Sequence, residues 1–485
     1  TGSNDGQIQL SRNGGETWKN VTKNIPNLPP WGTVSSIHPS KYKKGTAYIA
    51  VDLHQMGDFG TYLFKTSDYG MHWKSIVGDI PQSVHSFAHV LKEDPKKEGM
   101  LYLGLDNSLL ISIDDGTHWM HLKNNLPPAP IYWLEVQENY DDLIVSTYGR
   151  GYYILDDLSA LRQFNPNLRE LPQVFDPRKS YRLNNKESIK TDGYSFNSGM
   201  NPAYGTPINY YLPDTLTERV FIEIRDEKNE IIRTLKGSNN PGINRIMWDL
   251  RYEPTYKPQL RTRPFGRPWV QLNGEGWRPL VTWDLDLLSG QYGPRVVPGK
   301  YKAVISIDKV SFEKDLIVLK DPLAQGSLSD VKEQVQFSLT LREAMNTAVT
   351  MINKIEYIRS ELLLLKTSLE KNSELKQVDR LMGIATQIAG SLYDIQLTGA
   401  REDAFRSPMK LYGRLSALAS EINSSGIDFK PTDQQGDVYE ILNQRLQKAK
   451  GAFDELTINE IAAFNKNLND MNMHIDIEKK MEKSN

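Results

Sequence analysis

The segment Ser11-Arg12-Asn13-Gly14-Gly15-Glu16-Thr17-Trp18 recurs twice further along the chain, as residues 66–73 and 112–119. The three copies share the form Ser/Thr-x-Asp/Asn-x-Gly-x-x-Trp, and their starts lie 55 and then 46 residues apart. A repeat of about 40–50 residues is the length of one four-stranded propeller blade. The spacing therefore predicts a series of small antiparallel sheets, arranged as a β-propeller, in the first third of the chain.

Each copy of the repeat has the residues of a tight turn between two strands. The Asp or Asn side chain can accept hydrogen bonds from backbone N–H groups two residues on, and the Gly supplies a positive φ. The Trp begins the returning strand and can pack between neighbouring sheets. We therefore predict a structural role for nine residues: Asn13, Gly15, Trp18, Asp68, Gly70, Trp73, Asp114, Gly116 and Trp119.

The three segments resemble Asp-boxes, also called BNR repeats, which occur in sialidase-like and sortilin-like β-propellers. In those families the box lies away from the catalytic site, so the resemblance implies a fold rather than an activity. Residues 1–165 are predicted to form the last three to four blades of such a propeller. Because a closed propeller typically has four to eight blades, we expect upstream blades or another chain to complete it.

The middle of the chain, residues 166–325, alternates short strands with turns. The pattern Gly-x-Asn-x-x-x-Trp-Asp-Leu-Arg at residues 242–251, followed by Pro-Gly-x-Tyr at residues 298–301, resembles the Ig-like domain of flagellar hook-capping proteins. The resemblance implies an Ig-like β-sandwich with Trp248 and Tyr301 in its core.

Residues 254–295 form a long insert in this domain that is rich in aromatic residues and Arg. Long loops are usually functional or packed on a neighbouring domain, and mixtures of Arg and aromatic residues suit protein interfaces and stacking on sugars or peptides. The insert is either a ligand or partner surface, or its aromatic side chains fill the seam between sandwich and propeller. The candidate binding residues are Arg263, Arg267, Trp269 and Trp277.

The last third, residues 326–485, is predicted to be an antiparallel α-helical bundle. Apolar residues from Leu341 to Leu369 recur at spacings of three and four, which is typical of a long amphipathic helix. A further helix is expected after Pro431-Thr432. The segment Thr457-Ile458-Asn459-Glu460 has the form of a capping box and predicts the start of another helix.

Composition excludes several classes of protein. The chain has 485 residues, no cysteine, and 58 Lys and Arg against 60 Asp and Glu. The near-zero net charge argues against nucleic-acid binding, and no apolar run is long enough to predict a transmembrane helix. The lack of cysteine excludes disulfides and thiolate metal sites, and we predict no metal and no cofactor.

Tyr148, Arg150 and Tyr152 form the most site-like cluster of the predicted propeller and are its candidate binding residues. His85 and His89 lie four residues apart on a predicted strand, so both would face one side. Because no third ligand is close in sequence, we do not predict a zinc site there.

Candidate catalytic carboxylates are placed where Asp is common for structural reasons. The pairs Asp114-Asp115, Asp141-Asp142 and Asp156-Asp157 lie in predicted turns or at strand ends. His54 and Asp58 share a loop without further partners, and the Phe/Tyr-Arg-Ile-Pro motif of sialidases is absent.

The order of propeller, sandwich and bundle resembles the carboxy-terminal half of a family of large exported bacterial proteins, often labelled sortilin-like or BNR-repeat glycosyl hydrolases. The resemblance implies an extracellular or cell-envelope location in a bacterium. We expect a non-catalytic binding or scaffold protein whose propeller binds a peptide, protein or glycan. Two alternatives stay open: an exo-acting, sialidase-like glycoside hydrolase whose catalytic residues lie largely in upstream blades, and an accessory subunit of an outer-membrane complex.

Overall fold

The computed structural model describes residues 1–183, 201–278, 292–369, 372–406, 408–424, 428–468 and 474–476. The chain divides into two compact units that interleave in sequence. Unit 1 comprises Thr1–Arg178, Asn209–Thr215 and Asn240–Asn244, and unit 2 comprises Lys179–Ile208, Leu216–Asn239 and Arg245–Asn485. Among the described helices, none has both the length and the apolar character needed to cross a membrane.

The strands of the first third of the chain pair mainly with their neighbours in sequence. They are β1 Gln9–Leu10, β2 Lys19–Asn20, β3 Thr33–Pro39, β4 Ala47–Asp52, β5 Tyr62–Thr66, β6 Lys74–Ser75, β7 Ala88–Glu93, β8 Leu101–Leu105, β9 Leu109–Ser112, β10 Met120–His121, β11 Ile131–Gln137, β12 Asp142–Thr147 and β13 Tyr152–Leu155. A short helix, α1 (Ser159–Gln163), follows them.

These strands form a succession of small antiparallel sheets, as the repeat predicts. Strands β1 and β2 pair with each other, β3 to β6 form a four-stranded sheet A, β7 to β10 form a four-stranded sheet B, and β11 to β13 form a three-stranded sheet C. In sheets A, B and C each strand lies beside the one that precedes it. That these sheets are blades of a propeller stays a prediction.

Apolar side chains join the sheets, because alternate residues of a strand point to opposite faces. Leu91 and Leu103 of sheet B share a core with Tyr48 and Leu63 of sheet A. Their neighbours in sequence, Val90 and Tyr102, face the other way, into a second core between sheets B and C. That core includes Val90, Tyr102, Ile111, Leu134, Leu143 and Val145.

The three copies of the repeat fold into turns with the same hydrogen bonds. The first Ser or Thr hydroxyl accepts from the backbone N–H of the box glycine, at 2.8 Å for Gly15 and 2.9 Å for Gly70 and Gly116. The Asp or Asn carbonyl or carboxylate oxygen accepts from the backbone N–H four residues on, not two as the sequence suggests; the donors are Thr17, His72 and His118.

The glycines of these turns permit a close approach between sheets. Gly116 has a φ of +81°, and a Cβ placed there would lie 2.8 Å from the Cβ of Ile76 and 2.9 Å from its carbonyl oxygen. The indole N–H of Trp119 donates to the same carbonyl at 3.0 Å, and Trp119 is 8% exposed. Trp119 thus packs against residues of sheets A and B, whereas Trp18 is 53% exposed.

The β-strands after α1 build two further sheets. They are β14 Gln173–Val174, β15 Ser180–Arg182, β16 Thr206–Leu212, β17 Phe221–Arg225, β18 Ile231–Lys236, β19 Gly242–Trp248, β20 Gly299–Ile307 and β21 Val310–Lys320. The order in one sheet is β15-β21-β20-β17-β18, and in the other β14-β16-β19. Trp248 is fully buried and packs edge-on against Tyr301 with ring centroids 5.3 Å apart, as expected of core residues.

The last third of the chain is helical, as predicted. Its helices are α2 Leu328–Ser368, α3 Asn372–Leu392, α4 Leu411–Ser424, α5 Asp433–Asp454 and α6 Ala462–Leu468. The predicted apolar seam of α2 is buried and contributes to a core shared with the other helices. Ser327 and Thr432 cap α2 and α5 through complete capping boxes.

The capping box predicted at residue 457 is wrong. Thr457 lies inside a π-helical segment, Glu455–Ile461, that joins α5 to α6 without a break. Its hydroxyl donates to the carbonyl of Phe453 at 2.9 Å. A Thr hydroxyl can bond to the carbonyl four residues earlier within a helix as readily as it caps one, so the motif alone does not mark a helix start.

The first part of the insert lies along helix α2 in unit 2. The backbone N–H of Tyr256 donates to the Asn346 side chain at 2.9 Å, and that of Gln259 donates to Asn353 at 2.7 Å. Since these acceptors lie seven residues apart, they face one side of the helix. The sequence did not anticipate this contact. Residues 279–291 of the insert are outside the described residues.

A buried carboxylate completes this attachment. Glu356 accepts from the backbone N–H of Thr262 at 2.9 Å, from the Tyr393 hydroxyl at 2.6 Å, and from the Arg359 guanidinium. The Glu356 side chain is fully buried. A buried charge needs such partners, because an uncompensated one is strongly destabilising.

We expect Gly116→Ala to destabilise unit 1 more than Gly15→Ala does. Both glycines have positive φ, which costs a residue with a Cβ about 1–2 kcal/mol, but only Gly116 would also clash with Ile76. Overpacking adds about 1–3 kcal/mol. Calorimetric unfolding of the two variants measures the difference. Equal losses of unfolding free energy in the two variants would show that Ile76 moves aside without cost and that the contact at Gly116 is not close.

We expect Glu356→Gln to lower the free energy of unfolding of unit 2 by about 3 kcal/mol, because Arg359 would lose its buried counter-charge. Glu343→Gln on the same helix is the matched control. The Glu343 carboxylate is 62% exposed and pairs with Arg342, so its loss should change stability by less than about 0.5 kcal/mol. Chemical denaturation of both variants measures these values, and a neutral Glu356→Gln would contradict the assignment.

Candidate functional site

The two ends of sheets A, B and C carry different structures. The repeat turns lie at the same end as the β3–β4 and β7–β8 connections, since Tyr69 N–H donates to Gly45 O and Asp115 N–H donates to Gly99 O, both at 2.9 Å. Because consecutive strands of these sheets run antiparallel, successive connections alternate between the two ends. The connections β4–β5, β8–β9 and β12–β13 therefore lie at the opposite end. The candidate site is at this opposite end.

The first strand of each sheet has a β-bulge near its start. The register skips one residue in each case: Ser35 in β3, His89 in β7 and Tyr132 in β11. A bulge leaves its extra residue out of the ladder and turns its side chain, and such bulges are common beside functional sites. The Ser35 hydroxyl donates to Ala88 O at 2.9 Å and so joins sheets A and B.

Two of the bulged residues belong to a continuous row of aromatic rings across the three sheets. His89 stacks on Tyr132 with centroids 4.3 Å apart, and Tyr132 in turn contacts Tyr148 at 5.6 Å. On the other side, Phe87 contacts His89 at 5.2 Å and stacks on His54 at 4.6 Å. We call these five residues, together with Phe59, which lies 6.1 Å from Phe87, the aromatic row.

Three rings of the row are open to solvent, whereas Phe87 and His89 between them are buried, at 6% and 8% exposed. Phe59, Tyr132 and Tyr148 are 40%, 50% and 71% exposed, respectively. Exposed aromatic side chains that touch one another form an apolar patch, and such patches on a soluble protein often mark an interaction site.

Three carboxylates border the row, each hydrogen-bonded to a side chain of the same region. Asp52 contacts Nδ1 of His54 at 2.7 Å, Asp58 accepts from the Tyr62 hydroxyl at 2.8 Å, and Asp106 contacts Nδ1 of His85 at 2.9 Å. Carboxylates accept hydrogen bonds from the hydroxyl and ammonium groups of ligands. The row therefore combines apolar ring surface with hydrogen-bond acceptors at its border.

His89 lies at the centre of the row and is 8% exposed. Its Nε2 lies 3.5 Å from Asp106 Oδ1 and makes no hydrogen bond within the described residues. Burial lowers the pKa of His89, although Asp106 and Asp52 act in the opposite direction. A buried polar atom without a partner is rare in proteins and calls for an explanation.

The predicted residues Tyr148, Arg150 and Tyr152 lie in and after the β12–β13 turn. Tyr148 belongs to the aromatic row, and its backbone N–H donates to Pro130 O at 2.9 Å. Arg150 lies in the same turn and Tyr152 begins β13; both side chains are exposed. Of the three, only Tyr148 is in a ring contact of the described row.

The predicted residues of the insert lie in unit 2, and two of them bind the chain itself. Arg263 donates to Val270 O at 3.0 Å and Arg267 to Gln396 O at 3.3 Å. Trp277 lies under the guanidinium of Arg261, 5.7 Å from its ring centroid. Trp269 is 65% exposed. The arginines thus hold the insert in place through backbone carbonyls.

Two of the acidic pairs of unit 1 make structural contacts with other side chains of the unit. Asp115 accepts from Tyr48 at 3.0 Å and from Lys65 at 2.5 Å, and Asp141 accepts from Arg162 at 2.5 Å. Within the described residues, His, Asp and Glu side chains form no group of three or more that could hold a metal ion.

Two clefts lie elsewhere in the described residues. A small one of about 50 Å³ in unit 1 is bordered by His38, Lys92 and Glu135, and its charges are largely paired, as in Lys92–Glu135 at 3.0 Å. An open groove of about 460 Å³ in unit 2 runs between α2 and α5, beside Tyr439. Neither contains an aromatic surface comparable to the row.

The sequence singled out several members of this region but did not connect them. His54, Asp58, His85 and His89 stand out as isolated polar residues, and His85 in fact precedes β7 rather than lying on a strand. Phe87 and Tyr132 look like ordinary strand residues in sequence. Only the alignment of the bulges in adjacent sheets brings them together, and no local sequence pattern marks a bulge.

We expect acidification to destabilise the protein less when His89 is replaced by Gln. Because the folded-state pKa of His89 is below its unfolded value, the unfolded state binds the proton first, and stability falls as the pH drops below about 6.5. The difference between the unfolding temperatures at pH 8 and pH 5 should therefore be smaller in His89→Gln than in the unaltered chain.

His118→Gln is the control of opposite sign. Its hydrogen bond to Asp114 raises the pKa of His118, so protonation favours the folded state below the unfolded pKa and this contribution is lost as pH rises through the folded pKa. Its removal should enlarge the loss of stability on acidification. If the unfolding temperature depends on pH in the same way in both variants, the burial of an uncharged His89 is contradicted.

No family model matches the chain, and no curated protein matches it in sequence. Among solved structures, it is similar to the GH74 xyloglucanase from Xanthomonas campestris, with 12% identity, a TM-score of 0.26, and coverage of 65% of this chain and 41% of that one. The GH74 enzyme from Niastella koreensis gives 10% identity, a TM-score of 0.22, and coverage of 58% of this chain and 46% of that one.

An extracellular domain from B. thetaiotaomicron gives 11% identity, a TM-score of 0.18, and coverage of 56% of this chain and 30% of that one. The chain thus spans less than half the length of each of these three structures. Similarities of this size do not assign a function.

Proposed function

We propose that unit 1 is part of a β-propeller and binds a glycan chain, without catalysis, along the aromatic row. The observation that carries the proposal is the continuity of the row: successive ring contacts from His54 to Tyr148 cross sheets A, B and C. The exposed rings, Phe59 on one side and Tyr132 and Tyr148 on the other, suit a chain-like ligand that spans them, while the buried rings of Phe87 and His89 hold the exposed ones in position.

The chemistry of the row favours a glycan over a peptide. A sugar ring has an apolar face of C–H groups that can lie on an aromatic ring, and hydroxyl groups at its edge that need acceptors. Tyr132 and Tyr148 offer exposed rings, and Asp52, Asp58 and Asp106 offer acceptors beside them. Peptides are often bound instead through a free strand edge, whereas the row is built from side chains at strand ends.

Binding is favoured over hydrolysis by the state of the carboxylates. Glycoside hydrolysis needs two carboxyl groups that face the scissile bond from either side. Asp52, Asp58 and Asp106 each contact a His or Tyr side chain of the same region, and these contacts hold them in place. The geometry of the row thus supports a platform that orients a ligand.

The other parts of the chain fit a scaffold. We propose that the β-rich part of unit 2 is an Ig-like sandwich and the helices a bundle, and that upstream blades or another chain complete the propeller. An extracellular or cell-envelope location in a bacterium accords with glycan binding and with the resemblance to exported proteins with Asp-boxes. The accessory-subunit alternative places the same row in a larger assembly.

We expect Tyr132→Ala to weaken glycan binding by about tenfold or more, because Tyr132 contacts both His89 and Tyr148 and an aromatic residue at the centre of an interface contributes most of its affinity. Binding of the full chain to a panel of soluble oligosaccharides of hexoses, hexosamines and uronic acids would identify a ligand. Isothermal titration would then compare the variant with the unaltered protein.

Trp18→Ala is the control, since Trp18 is 53% exposed but belongs to the repeat turn between β1 and β2, which pair with each other outside sheets A, B and C. Its affinity should equal that of the unaltered chain. Binding of peptides but of no oligosaccharide would overturn the proposal. If the chain instead releases reducing ends from an oligosaccharide, and Asp52→Asn or Asp106→Asn abolishes this release, the glycoside hydrolase alternative is favoured.

A further inference from the structure

Three aromatic side chains of unit 2 are widely open to solvent. Phe265 is 91% exposed, Phe405 85% and Trp269 65%. Large apolar side chains are usually buried for the most part, and a group of exposed ones marks a contact site for a protein or a membrane. We call these three residues the aromatic tips. The glycan site proposed for unit 1 does not use them, because they belong to the other compact unit.

Two of the aromatic tips, Phe265 and Trp269, lie in residues 263–270, a short loop of the insert with joined ends. Nε of Arg263 donates to the carbonyl oxygen of Val270 at 3.0 Å and closes this loop. A second bond, from the backbone N–H two residues after Phe265 to the carbonyl just before it, closes a tight turn around Phe265. The loop therefore presents both rings to solvent from a fixed backbone.

The third tip, Phe405, is attached to the same part of unit 2. Arg267, which lies between the other two tips in sequence, donates to the carbonyl oxygen of Gln396 at 3.3 Å. Two residues further on, the backbone N–H of Thr398 donates to the Asp403 carboxylate at 2.7 Å. Asp403 and Phe405 belong to the same short 3-10 helix. The loop and this helix are thus held by one short segment, which brings the three tips into one region of the surface.

The insert around the tips is positively charged. Residues 254–278 contain five Lys and Arg but a single carboxylate, that of Glu275. Arg263 and Arg267 each donate to a backbone carbonyl, which carries no charge to cancel theirs. Arg263 is exposed, and a guanidinium has five N–H donors, of which the bond to Val270 occupies one. The loop therefore combines exposed rings with a cation that can meet an anionic group.

This combination fits the surface of an anionic membrane better than it fits a protein. Aromatic rings enter the boundary between headgroups and acyl chains, while Lys and Arg bind anionic headgroups. Protein interfaces instead centre on packed, desolvated clusters of side chains. Since each tip is at least 65% exposed, little of its ring touches its neighbours, and the tips project singly.

We infer that the aromatic tips form a docking site for an anionic lipid surface. Phe265, Trp269 and Phe405 insert among the headgroups, and Arg263 binds the lipid phosphates. The inference concerns unit 2 and does not rest on glycan binding by unit 1. It gives the insert a role that the proposed function leaves open.

Flotation of the full chain with lipid vesicles tests the inference. We expect binding to vesicles of phosphatidylglycerol and phosphatidylethanolamine, at least about tenfold weaker binding to phosphatidylcholine vesicles, and a loss of binding as NaCl rises. Phe265→Ser and Trp269→Ser should each weaken binding to the anionic vesicles about tenfold, because each removes a ring that leaves water. Arg263→Gln should weaken it about fivefold, since Gln keeps a donor for Val270 but not the charge.

Leu323→Ser is the matched control. Leu323 is 88% exposed but precedes the start of α2, whereas the insert is bound to α2 at Glu356. At 1.5 Å per residue, these two points are about 40 Å apart. Leu323→Ser should bind vesicles as the unaltered chain does, and all four variants should keep its unfolding temperature because the altered side chains are exposed. An equal loss of binding in Leu323→Ser overturns the inference, because any exposed apolar side chain would then serve.

The remaining outcomes are equally decisive. Absence of binding to any vesicle, equal binding to both kinds of vesicle, or binding that none of the three substitutions in the loop weakens overturns the inference. Binding of polyglutamate without binding of vesicles also overturns it and favours an acidic protein segment as the partner. None of these results bears on oligosaccharide binding, which the Tyr132→Ala comparison tests separately.

Discussion

The β-bulge that recurs at the start of the first strand in sheets A, B and C determines the candidate site. A regular strand would place successive side chains on alternate faces, into the cores between the sheets. The bulge removes Ser35, His89 and Tyr132 from that alternation. Ser35 then joins two sheets by a hydrogen bond, while His89 and Tyr132 stack on each other across the next boundary.

A repeat turn holds sheets A and B close together at the end opposite the bulges. Gly116 and Trp119 bring one turn of sheet B against Ile76 of sheet A. The framework contacts are at one end of the sheets and the exposed aromatic rings are at the other. This separation lets residues at the row vary without loss of the turns that hold the sheets together.

Much of the framework could be predicted from the sequence, because local rules govern it. The turn residues, the strand succession, the buried seam of α2 and the capping of α5 by Thr432 follow from short-range patterns. The Thr457 motif misled because one hydroxyl can serve two helical roles. The aromatic row could not be predicted beyond Tyr148, since Phe87, His89 and Tyr132 meet only through the register of different sheets.

The attachment of the insert to α2 has a consequence for the order of folding. Residues 256 and 262 are held by side chains 90 and 94 positions later in the chain. Closing so long a loop costs entropy that local contacts do not offset. During synthesis, the insert must therefore wait until α2 has left the ribosome, and until then its exposed aromatic residues are open to proteases and to chaperones.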